Sequence, residues 1–326
     1  IWKNIMSGGI AMYPLKFENL YYEKIWGGRD LELLRNNLPE GNIGESWDVA
    51  CHKHGMSVVK NGEYKGKTLR QLIDMKGKDL IGSKVSKDWF PLLIKLINAK
   101  QPLSVQVHPN DEYARRVEGE MGKTEVWYVV RAFEGANLIV GTKGDCTKEE
   151  FRKSVEDNTV EKHLNKIPVK EGDIYFIKSG TVHAIGGGVI IAEIQQSSDL
   201  TYRLYDYGRG RELHIDKAMD VIDFSLRGEK SIGTFEKAGN TTINHACSSK
   251  DFVLDVVNIK DEYTESSSSE TFYVFTCVNG SGEILFNGSE KEDISMGESI
   301  LIPASLGKYT IKGNIQLVKS YMPVSK

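Results

Sequence analysis

Gly-Asp-Ile-Tyr-Phe-Ile-Lys-Ser-Gly-Thr-Val-His-Ala-Ile (172–185) is an aromatic and β-branched run, a glycine-containing turn, and a second apolar run that opens on a histidine. That order of residues reads as strand, turn and strand. The pattern has an echo further along the chain. From Gly172-Asp173, residues Lys178, Gly180 and His183 stand at offsets six, eight and eleven, and from Gly297-Glu298, residues Pro303, Ser305 and Lys308 stand at the same offsets. The echo predicts a doubled β architecture in which the first copy presents a histidine and the second a lysine.

Besides His183, three more polar residues sit inside strand-like stretches. Gln106 and His108 in Pro-Leu-Ser-Val-Gln-Val-His-Pro (102–109) are two residues apart and so share one face of a strand. Glu125 lies in Lys-Thr-Glu-Val-Trp-Tyr-Val-Val (123–130). Alone, each would be an ordinary packed or hydrogen-bonded residue, but together with His183 they are four candidate ligands for one divalent metal. Two imidazoles, a carboxylate and an amide oxygen suit a borderline ion such as zinc. They neutralise one of the two metal charges, which leaves a Lewis acid able to polarise a carbonyl or stabilise an oxyanion. This donor set points to catalysis rather than to a closed structural site.

The 326 residues are 40% hydrophobic and 27% charged, the balance of a soluble globular chain long enough for one large or two ordinary domains. A net charge of −3 gives no reason to expect nucleic acid or an acidic membrane as partner. No apolar run has the length of a membrane helix. Cys51, Cys146, Cys247 and Cys277 are widely spaced, without a Cys-x-x-Cys, and read as buried thiols of a cytoplasmic protein. The opening stretch lacks the apolar core of a signal peptide, and Met12 is a plausible natural start, so residues 1–12 are expected to be an upstream remnant.

Most of the chain is short β-branched or aromatic runs separated by turn residues: 136–142, 172–177, 189–195, 252–259, 272–278, 282–286 and 299–302. Helices are expected at 68–81, 111–117, 148–155 and 215–224, the third capped by Thr147. Several other signals carry little. Gly122-Lys123-Thr124 mimics the end of a P-loop but has Val117 where glycine is needed. Gly186-Gly187-Gly188 reads as a hairpin turn, His52-x-His54 as an exposed loop and Ser266–Ser269 as a flexible loop. His163, His214 and His245 have no evident partners.

Both copies of the echo resemble the cupin signature Gly-x5-Pro-x-Gly-x2-His, with Lys178 replacing the proline in the first and Lys308 the histidine in the second. That resemblance implies a mainly β chain of two jelly-roll (cupin) barrels with a few decorating helices. The expected domains are a catalytic metal-binding cupin over 13–240 and a degenerate cupin without metal over 241–326. More closely, Gln-Pro-Leu-Ser-Val-Gln-Val-His-Pro-Asn-Asp (101–111), Gly-Lys-Thr-Glu-Val-Trp-Tyr (122–128), Gly-Thr-Val-His-Ala-Ile (180–185) and Glu-Ile-Gln-Gln-Ser-Ser-Asp-Leu-Thr-Tyr-Arg (193–203) resemble class I mannose-6-phosphate isomerases in their compact bacterial form. Trp26-Gly27-Gly28 and Gly44-Glu45-Ser46-Trp47 fit the same family.

The resemblance implies a zinc enzyme, one ion per chain, that interconverts mannose 6-phosphate and fructose 6-phosphate, with Gln106, His108, Glu125 and His183 as ligands. It carries catalytic roles to Arg203, Glu193, Lys123 and Asp199, and contacts with the sugar phosphate to Lys95, Ser104, Lys123 and Arg203. Moving a carbonyl between C1 and C2 needs a base and charge stabilisation for the enediolate; Glu193 suits the base, with Lys123 or a metal-bound water as alternatives. Two rival readings are a non-haem iron dioxygenase built on the two histidines and a carboxylate, and a non-catalytic sugar-binding cupin.

Overall fold

The computed structural model describes residues 11–324, so the expectation for residues 1–12 lies, but for its last two residues, outside them. Strands dominate and every strand pairing is antiparallel. No helix among the described residues is long and apolar enough to cross a membrane.

One sheet has the order Ile174–Ile177, Glu125–Ala132, Val189–Gln196, Leu92–Ala99, Ile43–Val49, Leu20–Gly28; a second has the order Leu164–Pro168, Asn137–Thr142, His183–Ile185, Val105–Val107, Tyr202–Tyr205. Neither order closes on itself. All eight residues of Leu92–Ala99 and of Val189–Gln196 are buried, the mark of strands covered on both faces. Alternation explains how. Ile190, Ala192 and Ile194 join Leu92, Ile94 and Leu96 in a core that includes Phe252, Leu254, Phe275 and Leu317 of the C-terminal half. On the opposite face Val189, Ile191, Ile97 and Trp127 pack with Leu138, Val140 and Ile185 of the second sheet. The space between the two sheets is where the polar residues gather.

The C-terminal half is one sheet in which Leu15–Lys16, Ser299–Ile302, Tyr273–Phe286, Lys308–Tyr321, Val253–Ser266, Thr241–Ser248 and Thr234–Ala238 follow in order, with Glu290–Ser295 beside Tyr273–Phe286. The echo is visible in the backbone. Gly172 and Gly297 have φ of 84° and 85°, strands begin two residues later at Ile174 and Ser299, and the next strands begin at His183 and Lys308. Lys308 is exposed.

Four local expectations need correction. The helix over 68–81 is two, Leu69–Lys76 and Lys78–Ile81, divided at Gly77. The runs 272–278 and 282–286 are one strand, because a bulge between Cys277 and Asn279 bends the ladder without ending it. Gly186–Gly188 is not a hairpin turn: it joins His183–Ile185 of one sheet to Val189–Gln196 of the other. The Ser266–Ser269 stretch is pinned, Ser267 Oγ donating to the Ala304 carbonyl at 2.8 Å and accepting from Gly307 N–H at 2.9 Å. Of the four thiols, Cys277 alone is buried and the others are half-buried; none forms a disulfide.

A buried polar knot ties the halves together. Arg35 pairs with Asp48, both side chains almost fully enclosed, and its Nε donates to the carbonyl of Gly297 at 2.6 Å. Asp48 also accepts from Ser46 Oγ at 2.7 Å and from Ser299 Oγ at 3.0 Å. Removing one partner of such a pair strands the other charge in the interior. Arg35→Ala should therefore lower the unfolding free energy by about 3–5 kcal/mol in urea titrations; a loss below about 1 kcal/mol would mean that water reaches Asp48.

Candidate active site

Strand register assembles two rows of side chains that face each other. Trp47, Lys95, Glu193 and Trp127 are successive cross-strand partners in the first sheet. His183, Gln106 and Arg203 are successive partners in the second. Because side chains alternate along a strand, each row projects to one face.

At the meeting point, His108 Nε2 lies 3.1 Å from His183 Nε2 and 3.1 Å from Glu125 Oε1. The ligand atoms of these three buried residues all lie within 4.8 Å of one another. His183 Nδ1 is 2.8 Å from the Thr181 carbonyl, which requires the proton on Nδ1 and leaves the Nε2 lone pair directed inward. Burial, then Lys123, pushes the His108 pKa down to about 3, and burial lowers that of His183. Neutral imidazoles and a carboxylate converging on one point are the donor set a divalent metal requires. The residues fit such an ion. Gln106, half-buried, lines the same cavity.

The cavity has a volume of about 320 Å³; nine charged residues line it, and so does every site residue predicted from sequence except His108 and His183. Lys123 Nζ is 3.2 Å from Glu125 Oε1. Lys95 Nζ lies 3.6 Å from Glu193 and 3.8 Å from Glu45, above the Trp47 ring at 4.9 Å. Burial opposes the charge on Lys95, but Glu45 and Glu193 outweigh it and raise its pKa. Burial likewise opposes the charge on Glu125, and Lys123 beside it outweighs burial, holding this carboxyl well below the usual range. Glu193 goes the other way. Burial, reinforced by Glu125, pushes it up to about 7 despite Lys95. The Trp127 indole N–H donates to both carboxylates, at 2.9 Å to Glu193 and 3.0 Å to Glu125.

Arg203 presents the least compensated cation of the site. Its Nε donates to Ser104 Oγ at 3.3 Å and its Nη1 to the Glu212 carbonyl at 2.7 Å, both neutral acceptors, and Arg211 lines the cavity beside it. Asp199 reaches His54 Nδ1 at 3.1 Å.

Sequence reasoning gave no role to Glu45, Lys24 or Arg211. Glu45 had a legible signal: Glu45-x-Trp47 repeats the spacing of Glu125-x-Trp127, and in both the indole N–H donates to the glutamate two residues before it, at 2.7 Å for Trp47. The three histidines without evident partners have them: His163 meets Asp145 at 3.0 Å, His245 meets Asp255 at 2.9 Å, and His214 accepts from Arg203 N–H at 3.2 Å.

Two family models match the chain: the catalytic domain of type I phosphomannose isomerase over residues 14–134 and the cupin domain of mannose-6-phosphate isomerase over residues 242–322. Mannose-6-phosphate isomerase ManA of Bacillus subtilis is 36% identical over 95% of this chain and 99% of its own length. The mannose-6-phosphate isomerase of Streptococcus mutans is 36% identical over 94% and 98%. A crystal structure of the mannose 6-phosphate isomerase from Bacillus subtilis superposes with a TM-score of 0.89 at 34% identity, covering 95% of this chain and 99% of that one.

The raised Glu193 carboxyl has a measurable signature in metal-free protein. The folded chain keeps a proton that the unfolded chain releases between the ordinary carboxylate range and about pH 7. Stability should therefore fall as pH rises through that window, by up to about 1.4 kcal/mol per pH unit. Glu193→Gln should flatten this slope in urea unfolding of chelator-treated protein; parallel curves for the two proteins would refute the assignment.

Proposed function

The chain belongs to the type I mannose-6-phosphate isomerase family, and from that premise we propose a zinc-dependent aldose–ketose isomerase that interconverts mannose 6-phosphate and fructose 6-phosphate through an enediol by proton transfer. The observation that carries the mechanism is the pairing of a metal-competent cluster with a buried carboxyl, Glu193, that lines the same cavity. Gln106, His108, Glu125 and His183 would hold the ion, which when bound supplies Lewis-acid stabilisation of developing negative charge on the sugar oxygens.

The remaining work falls to side chains of the cavity. Glu193 is our candidate for the base that takes the C2 proton of the aldose and returns it to C1, since it is a buried carboxyl lining the cavity in which the sugar would sit. Trp127 fixes its orientation through the indole N–H, and Lys95 stands by to compensate its charge. Lys123, tied to Glu125, is the rival proton carrier. The phosphate dianion calls for cations not already neutralised, and Arg203 with its neutral partners meets that description, with Ser104 beside it. Asp199 closes the set from the His54 side.

The proposal includes the division of the chain into a catalytic cupin over 13–240 and a degenerate second cupin over 241–326, each a jelly roll. The two family matches and the echo at Gly172 and Gly297 support it. A cytoplasmic setting is in keeping with four free thiols.

A coupled assay of mannose 6-phosphate conversion tests the metal requirement. Chelation should abolish turnover and zinc should restore it, and His108→Ala, Glu125→Ala and His183→Ala should each lose the ion and the activity, whereas His52→Ala should retain both. Full turnover in demonstrably metal-free protein would overturn the mechanism.

Base and metal are separable. Glu193→Gln keeps shape and hydrogen bonding, so metal and substrate binding should persist while turnover drops by about a hundredfold or more. NMR of C2 proton exchange with solvent reads the step directly; wild-type exchange in this variant would move the role to Lys123.

A further inference from the structure

Away from the cavity, the excursion between strands Asn137–Thr142 and Leu164–Pro168 gathers three metal-ligating side chains: Asp145, Cys146 and His163, whose ligand atoms all lie within 4.8 Å of one another. The backbone holds them there. Thr142 pairs with Leu164 across the base of the excursion, and Lys143 N–H donates to the His163 carbonyl at 2.8 Å. Thr147 then caps the helix Lys148–Glu156 through a capping box with Glu150, which sets Cys146 one residue before the cap. His163 is 13% exposed and its Nδ1 is 3.0 Å from Asp145 Oδ1.

We propose that Asp145, Cys146 and His163 form a second divalent-metal site of the zinc class, sharing no ligand with the cluster of His108, Glu125 and His183. A thiolate, an imidazole and a carboxylate are ligand types that zinc accepts together, at bond lengths of about 2.0–2.3 Å. Atoms within 4.8 Å need side-chain shifts of about an ångström to meet that geometry. The exposed side of Asp145 leaves the fourth position to water. On binding, the Cys146 thiol gives its proton to solvent and the sulfur takes the metal in its place. The site would clip an excursion whose Phe151 and Val155 pack with Val105 and Val107, the neighbours of Gln106 in its strand.

Cobalt(II) titration of the reduced full-length protein separates the two sites, because the cluster at His108 contains no sulfur. Wild type should take up a second equivalent with a thiolate-to-cobalt charge-transfer band. Cys146→Ser should lose the band and that equivalent while keeping isomerase turnover, and His163→Ala should weaken cobalt binding at the same site. His108→Ala should lose turnover yet keep the band, so failure of the catalytic reading and failure of this one give different results. Absence of the band in wild type at cobalt excess, or a band that survives Cys146→Ser, would overturn the proposal.

Discussion

Lys95, Lys123, Glu125 and Glu193 are buried between two sheets, and Glu45 is nearly so. An ion taken out of water costs several kcal/mol unless its partners are well placed, so none of these charges is tolerable alone. Lys123 answers Glu125, Lys95 answers both Glu45 and Glu193, and two indole N–H groups donate to the same three carboxylates. Everything else in the site depends on that compensation. Because adjacent residues of a strand point to opposite faces, a slip of one residue in Leu92–Ala99 or Val189–Gln196 would drive Lys95 or Glu193 into the apolar core and put isoleucine or leucine in the cavity. Register is thus specified from both faces at once, by hydrocarbon on one and by charge pairing on the other.

What sequence reading could reach follows from this. The period of two in 102–109 and 123–130 places Gln106 beside His108 and Glu125 beside Trp127 without knowledge of any neighbour, because alternation is local. The echo from Gly172 to Gly297 was legible for the same reason: a glycine turn followed at a fixed distance by a strand is written in consecutive residues. The convergence of His108, Glu125 and His183 was legible through kinship of motifs, and the fold brings them within reach of a single ion.

The partners of these residues were hidden because they come from pairings across long stretches of chain. Lys95 reads as a lone cation in an apolar run until register puts Glu193 beside it and Glu45 within reach. His163 looked idle because Asp145 meets it only after the helix Lys148–Glu156 has turned the chain back. The three glycines at 186–188 imitate a hairpin, and nothing within them reveals that the strands on either side join different sheets.

The short strand Leu15–Lys16 pairs with Ser299–Ile302, Leu15 opposite Leu301. Its hydrogen-bonding partner is therefore synthesised almost a full chain length later. During translation Leu15 and the apolar face of the six-stranded sheet must wait, uncovered, for the C-terminal strands, and contacts of such sequence separation close slowly. The late strands are the lid of the apolar core, so a ribosome that stalls before residue 299 releases a product with a sticky face, a natural client for chaperones.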